Sequence, residues 1–211
     1  MKDDLHTISS GGASMLDLSK IPAKKAKYVI TRAWEDYDDP PYRPYVAKFK
    51  YEDDQCQFEM CLTAQEADIY QNAKTQYEKI KRSHPDPKVQ KHWKAQKFLS
   101  LHEHFGEQIR KYYSFREVDE GALEKAVEYC QLQIQYVPVA MRAFHNDPFT
   151  SGLPEHVGYS YLIDIREEQG AWKEALYLAK LAWEEGWRGD WAGCVSRLRE
   201  KLYLNGGDSL V

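Results

Sequence analysis

The spacing of apolar residues changes along the chain, and each change marks a new kind of element. Between 27 and 62 the period is two. Tyr28-Val29-Ile30-Thr31 is β-branched and aromatic, Tyr45-Val46-Ala47-Lys48-Phe49-Lys50-Tyr51 alternates apolar with polar side chains, and Gln57-Phe58-Glu59-Met60-Cys61-Leu62 alternates too. Such alternation marks half-buried strands. The polar turn Glu52-Asp53-Asp54-Gln55 joins the second and third runs as a hairpin, and Asp38-Asp39-Pro40-Pro41 sets the first apart by a longer loop. A small antiparallel sheet of three strands is expected.

From Thr63 the period becomes helical. Thr63 followed by Glu66 forms a capping-box pattern, which predicts a helix from there to about Arg82. Ser83-His84-Pro85-Asp86-Pro87 ends that helix and starts a second, which extends through Trp93, Phe98, Leu99, Leu101 and Phe105 to about Tyr113, with Gly106 as a candidate interruption. Three units follow: a flexible leader over 1–22, a small sheet with long helices over 23–113, and a helical array over 114–211. The fold class expected is α+β, mostly α.

The array carries a repeat signal. Gln169-Gly170-Ala171-Trp172-Lys173-Glu174-Ala175 is followed by Ala179 and Ala182, and Tyr159, Leu162 and Ile163 precede it at helical spacing. Upstream, Gly121-Ala122-Leu123-Glu124-Lys125-Ala126 repeats the Gly-to-Ala spacing, with Cys130 standing where Ala179 stands and Pro138 closing the unit. This resembles the tetratricopeptide repeat, a pair of antiparallel helices in about 34 residues. The departures are Ile163 at a site often small, Arg166 at a site often aromatic, and Trp187 in place of a closing Pro. Gly121 and Gly170 are 49 residues apart, so an insertion lies between them, with Val139 to Phe144 extending a helix and 146–154 forming a loop. Gly186 and Asp190 then end one helix and cap another, whose stripe Trp191, Cys194, Val195, Leu198 and Leu202 suits a terminal capping helix.

The resemblance implies a stacked helical surface that holds a peptide or partner protein, with first-helix residues Tyr159, Tyr161 and Arg166 as candidate contacts. Two repeats and a cap fall short of the three units usually needed for stability. The array must therefore lean on the 63–113 helices, on the sheet or on a second subunit.

Composition narrows the classes. A net charge of -4, a pI near 6.0, a mean hydropathy of -0.71 and 43% hydrophobic residues in 211 describe a globular, polar-surfaced chain rather than a wholly disordered one. No apolar run approaches the roughly 18 residues of a membrane span. Met1-Lys2-Asp3-Asp4 lacks the basic start of a signal peptide, so a cytoplasmic location is expected, with Cys56, Cys61, Cys130 and Cys194 as reduced thiols.

Signs of chemistry are sparse. The chain has no GxSxG, HExxH, GxGxxG or Walker loop. His102-Glu103-His104, with His92, invites a metal reading, but residues two apart on a helix diverge, so a polar helix face is expected. His84, His145 and His156 lack neighbours at ligand spacing. Cys56 and Cys61 read as core residues of strands, and Glu35-Asp36-Tyr37-Asp38-Asp39 as a solvated loop. No cofactor, metal or catalytic role is expected.

One charged feature stands out. Lys79, Lys81, Arg82, Lys88, Lys91, Lys94 and Lys97 fall within nineteen residues against Asp86 alone, with Trp93 among them. Lys88, Lys91, Lys94 and Lys97 are candidate phosphate contacts. Equally, the cluster suits the acidic segments 35–39 and 52–54. The expected function is therefore protein–protein interaction by a predominantly monomeric chain, with nucleic-acid binding at 79–97 as the alternative.

Overall fold

A computed structural model describes residues 44–54 and 56–205. The run at 28–31, the acidic segment 35–39 and the leader lie outside them. Two antiparallel strands are described, β1 (Tyr45–Glu52) and β2 (Gln57–Thr63), where the pattern predicted three. Phe49, Met60 and Leu62 face inward, while Lys48, Lys50 and Glu59 pair on the outer face. Phe49 packs against Tyr70, Phe98 and Tyr136, which seats the hairpin on the helices.

Seven helices follow among the described residues. Helix α1 (Ala64–Ser83) begins at the capping box, in which Glu66 accepts from the Thr63 N–H and Thr63 accepts from the Glu66 N–H. Asp86 caps α2 (Pro87–Ser114), and Pro87 sits in the first turn, where its missing N–H costs nothing. Helix α2 runs unbroken through Gly106. That glycine marks a close approach instead: a Cβ there would lie 3.0 Å from Gln133 Nε2.

Helix α3 (Ala122–Gln135) packs along α2. The predicted helical extension beyond Pro138 is a separate helix, α4 (Val137–Asn146), because the proline supplies no N–H to continue α3. Helices α5 (Val157–Glu168) and α6 (Trp172–Glu184) form the second hairpin, turning at Gly170 with φ +73°. Helix α7 (Trp191–Asn205) packs on α6.

Small residues set the spacing. Ala126 and Cys130 in α3, and Ala175, Ala179 and Ala182 in α6, are buried. Gln133 ties the array together: its Nε2 donates to the His102 carbonyl at 2.8 Å and its Oε1 accepts from the Gly158 N–H at 2.6 Å, linking α2, α3 and α5. The α7 stripe is covered within the chain. Trp191, Cys194, Val195 and Leu198 join the core, Leu202 is half-buried, and the Trp191 indole donates to the Trp187 carbonyl at 2.7 Å. No described helix is long and apolar enough to cross a membrane.

Candidate functional site

The three partner-contact candidates do not lie on an open surface. Tyr159 is 0% exposed and packs on His156, its hydroxyl directed toward Glu185. Arg166 is 4% exposed; its Nε pairs with Glu174 at 2.9 Å and its Nη1 donates to Gln169 at 2.7 Å. Tyr161 is half-buried, edge-on to Tyr113 at 4.8 Å. The expectation of exposed polar tips is thus corrected for Tyr159 and Arg166. Both residues lie on α5, which packs against α2, α3 and α6, and the charge of Arg166 is met by Glu174 of its own helix pair.

A groove does run across α2, α5 and α7. It is lined by Tyr113, Asp164, Glu167, Glu168, Arg197 and Lys201, with a volume near 380 Å³. Glu167 accepts from Arg197 and Lys201, which hold its carboxyl below the ordinary range against the opposing effect of burial. Partial burial and the charge of Glu167 push the Asp164 carboxyl upward.

The histidines are not a polar face. His102 and His104 are each 5% exposed, because α3, α4 and the loop before α5 close over them. They point apart, as the helical spacing required: His102 meets Phe144, His156 and Trp187, and His104 meets Phe105 and Tyr129. His156 is the fully buried N-cap of α5, its Nδ1 accepting from the Tyr159 N–H. Nothing at the sequence level distinguished it from a loop histidine. Among the described residues no three potential metal ligands cluster. Burial raises the Cys56, Cys130 and Cys194 thiols, the opposite of an activated nucleophile.

The basic cluster is where the fold adds most. Helices α1 and α2 form a hairpin closed by His84-Pro85-Asp86, and it brings Lys74 and Lys81 of α1 beside Lys94 and Lys97 of α2. Lys97 is half-buried, its ammonium 4.2 Å from the centre of the Phe98 ring and 5.3 Å from that of Tyr77. Burial lowers its pKa, and Lys94, Lys74 and Lys81 lower it further against a partial offset from Glu78. Lys74, Lys79, Lys81, Arg82, Lys88, Lys91 and Lys94 are exposed. With Lys97 they face only Glu78 and Asp86 over 74–97, a local charge of +6 in a chain of -4. Among the described residues none of these cations forms an ion pair with a carboxylate. The acidic turn does not neutralise them, because Asp53 pairs with Arg142 at 3.0 Å.

At the far end of α2's first turns, His92 Nδ1 meets the Asp147 carboxylate at 2.9 Å. Burial opposes ionisation of Asp147, but the Phe149 N–H and His92 outweigh it and hold the pKa below the ordinary value. No local pattern points to this pair, whose members are 55 residues apart. Comparison of the chain with protein-family models, curated proteins and solved structures finds no match.

Proposed function

We propose that this protein is a non-catalytic binding module whose α1–α2 hairpin holds a phosphate polymer, mounted on a helical array of tetratricopeptide-like type. The observation that carries the proposal is the convergence of Lys74, Lys81, Lys94 and Lys97 from two helices. Lys97 is depressed first by burial and then by the neighbouring lysines, and a polyanion relieves that second, repulsive part. Lysines that neutralise phosphates release condensed counterions, and that release supplies affinity without sequence preference. The buried small residues of α3 and α6, with the Gly170 turn, support the repeat-like reading of the array.

The triple variant Lys88→Glu, Lys91→Glu and Lys94→Glu tests the proposal in a gel-shift assay. These three side chains are exposed, so the variant keeps its helical circular dichroism. Loss of most nucleic-acid binding is expected, and unchanged binding refutes the assignment.

The α2–α5–α7 groove favours a second reading, a peptide partner. Its carboxylates Asp164 and Glu168, beside Tyr113, suit a cationic side chain. A binding partner recovered from native cells by pull-down, and lost on Asp164→Lys, supports that role; a partner whose capture is unchanged in that variant removes it.

A further inference from the structure

Beside the lysines of α2 stands a row of three rings. The His92 imidazole sits edge-on to Trp93, with ring centroids 5.9 Å apart, and edge-on to Phe149, with centroids 5.3 Å apart. Phe149 is 61% exposed, although it belongs to a chain with ample core to receive it. It is also held there. The Asp147 carboxylate, 2% exposed, accepts from the Phe149 N–H at 3.0 Å and pairs with His92 Nδ1 at 2.9 Å. One buried anion thus fixes both the ring on α2 and the backbone of the loop ring. Lys88 lies one helical turn before His92, and Lys91 is its neighbour in sequence.

We infer that the ligand of this surface is single-stranded nucleic acid, whose bases stack on Phe149 and Trp93 while its phosphates follow Lys88, Lys91 and Lys94. The inference rests on the polyanion binding proposed above and adds a strand preference to it. Single-strand binders pair a positive track with aromatic platforms, because every unpaired base offers a ring face and a duplex hides those faces. A purely electrostatic surface needs no exposed, anchored phenylalanine. Charge alone would also not discriminate between a strand, a duplex and another polyanion.

The test is fluorescence anisotropy with a labelled mixed-sequence 20-nucleotide DNA strand, the same strand annealed to its complement, and a heparin fragment, all at one salt concentration. The strand is expected to bind about tenfold or more tighter than the duplex. Phe149→Ala is expected to weaken strand binding about tenfold and leave duplex and heparin binding unchanged, while Phe149→Trp restores the strand. Trp93→Phe keeps an aromatic platform and is expected to retain most of the affinity. Equal binding of strand and duplex, or a Phe149→Ala variant that binds the strand as wild type does, overturns the stacking inference and leaves the phosphate reading standing. A Phe149→Ala variant that weakens all three ligands alike overturns it too. If none of the three ligands binds, both readings fall together.

Discussion

The imidazole of His102 stacks on the indole of Trp187, with ring centroids 5.8 Å apart and planes within 7°. This contact joins α2 to the segment between α6 and α7, some 85 residues later in sequence, and His156 closes it from a third element, 4.6 Å from Trp187. Phe144 of α4 borders the same cluster, and Glu185 accepts from the Trp187 indole at its edge.

Acid should loosen this cluster. Burial holds the His102 pKa down at about 4, against about 6.5 for an exposed imidazole, and His156 is lowered too, by burial and then by His102. Both side chains are neutral in the fold and take up protons on unfolding. Their contribution to stability is therefore present above pH about 6.5 and is lost as pH falls below it, through about 4 for His102. His102→Phe keeps a ring and removes one titration. Its melting temperature should fall less than that of wild type between pH 6.5 and 4, by several degrees. Parallel curves for the two proteins would assign the acid sensitivity elsewhere.

Glu185 works in the other direction. Burial raises its carboxyl to about 7, although the hydrogen bond from the Trp187 indole and the nearby Tyr159 hydroxyl oppose the shift. An acid raised in the fold costs stability as pH climbs from its unfolded value, near 4.3, through about 7. Glu185→Gln preserves an oxygen for the Trp187 indole. It should match wild type at pH 5 and melt higher at pH 8; a lower melting temperature at pH 8 would show that the charge is needed.

Ala175 is 0% exposed on α6, where that helix meets the core of the array. Ala175→Arg adds a long charged side chain to a filled contact and should destabilise the protein by about 3 kcal/mol or more. Chemical denaturation measures this directly, and an unchanged midpoint would mean the helix pair can part without cost.

Removing α7 uncovers the surface of α6 on which Trp191, Val195 and Leu198 pack. Truncation after Gly189 should lower the melting temperature and promote aggregation, while the full chain sediments as a monomer. A full-length dimer that yields a stable truncated monomer would make α7 an interface instead.

Local signals carried much of this architecture. The Thr63–Glu66 box, Pro87, Gly170 and the Asp190 cap each act within four residues, so spacing alone exposes them. Tertiary effects stayed hidden. His102 and His104 looked solvated because a charged glutamate separates them, and only the closure of other elements buries both. Arg166 looked like a surface tip because its partner Glu174 lies across a turn. The seven cations at 79–97 were visible as a run. That Lys74 joins them, and that Phe149 reaches α2 through Asp147, depended on contacts between distant segments.

The salt dependence of wild-type binding to a single DNA strand tests the central claim most directly. Each lysine that holds a phosphate contributes about 0.7 to the slope of log K against log salt for a single strand. Lys88, Lys91 and Lys94 should together account for about 2 of that slope, the difference between wild type and the triple variant. Binding that weakens steeply with salt in wild type, and less steeply by that amount in the variant, is the predicted result. Absence of binding at low salt, or a slope identical in the two proteins, would contradict a phosphate-holding α1–α2 hairpin.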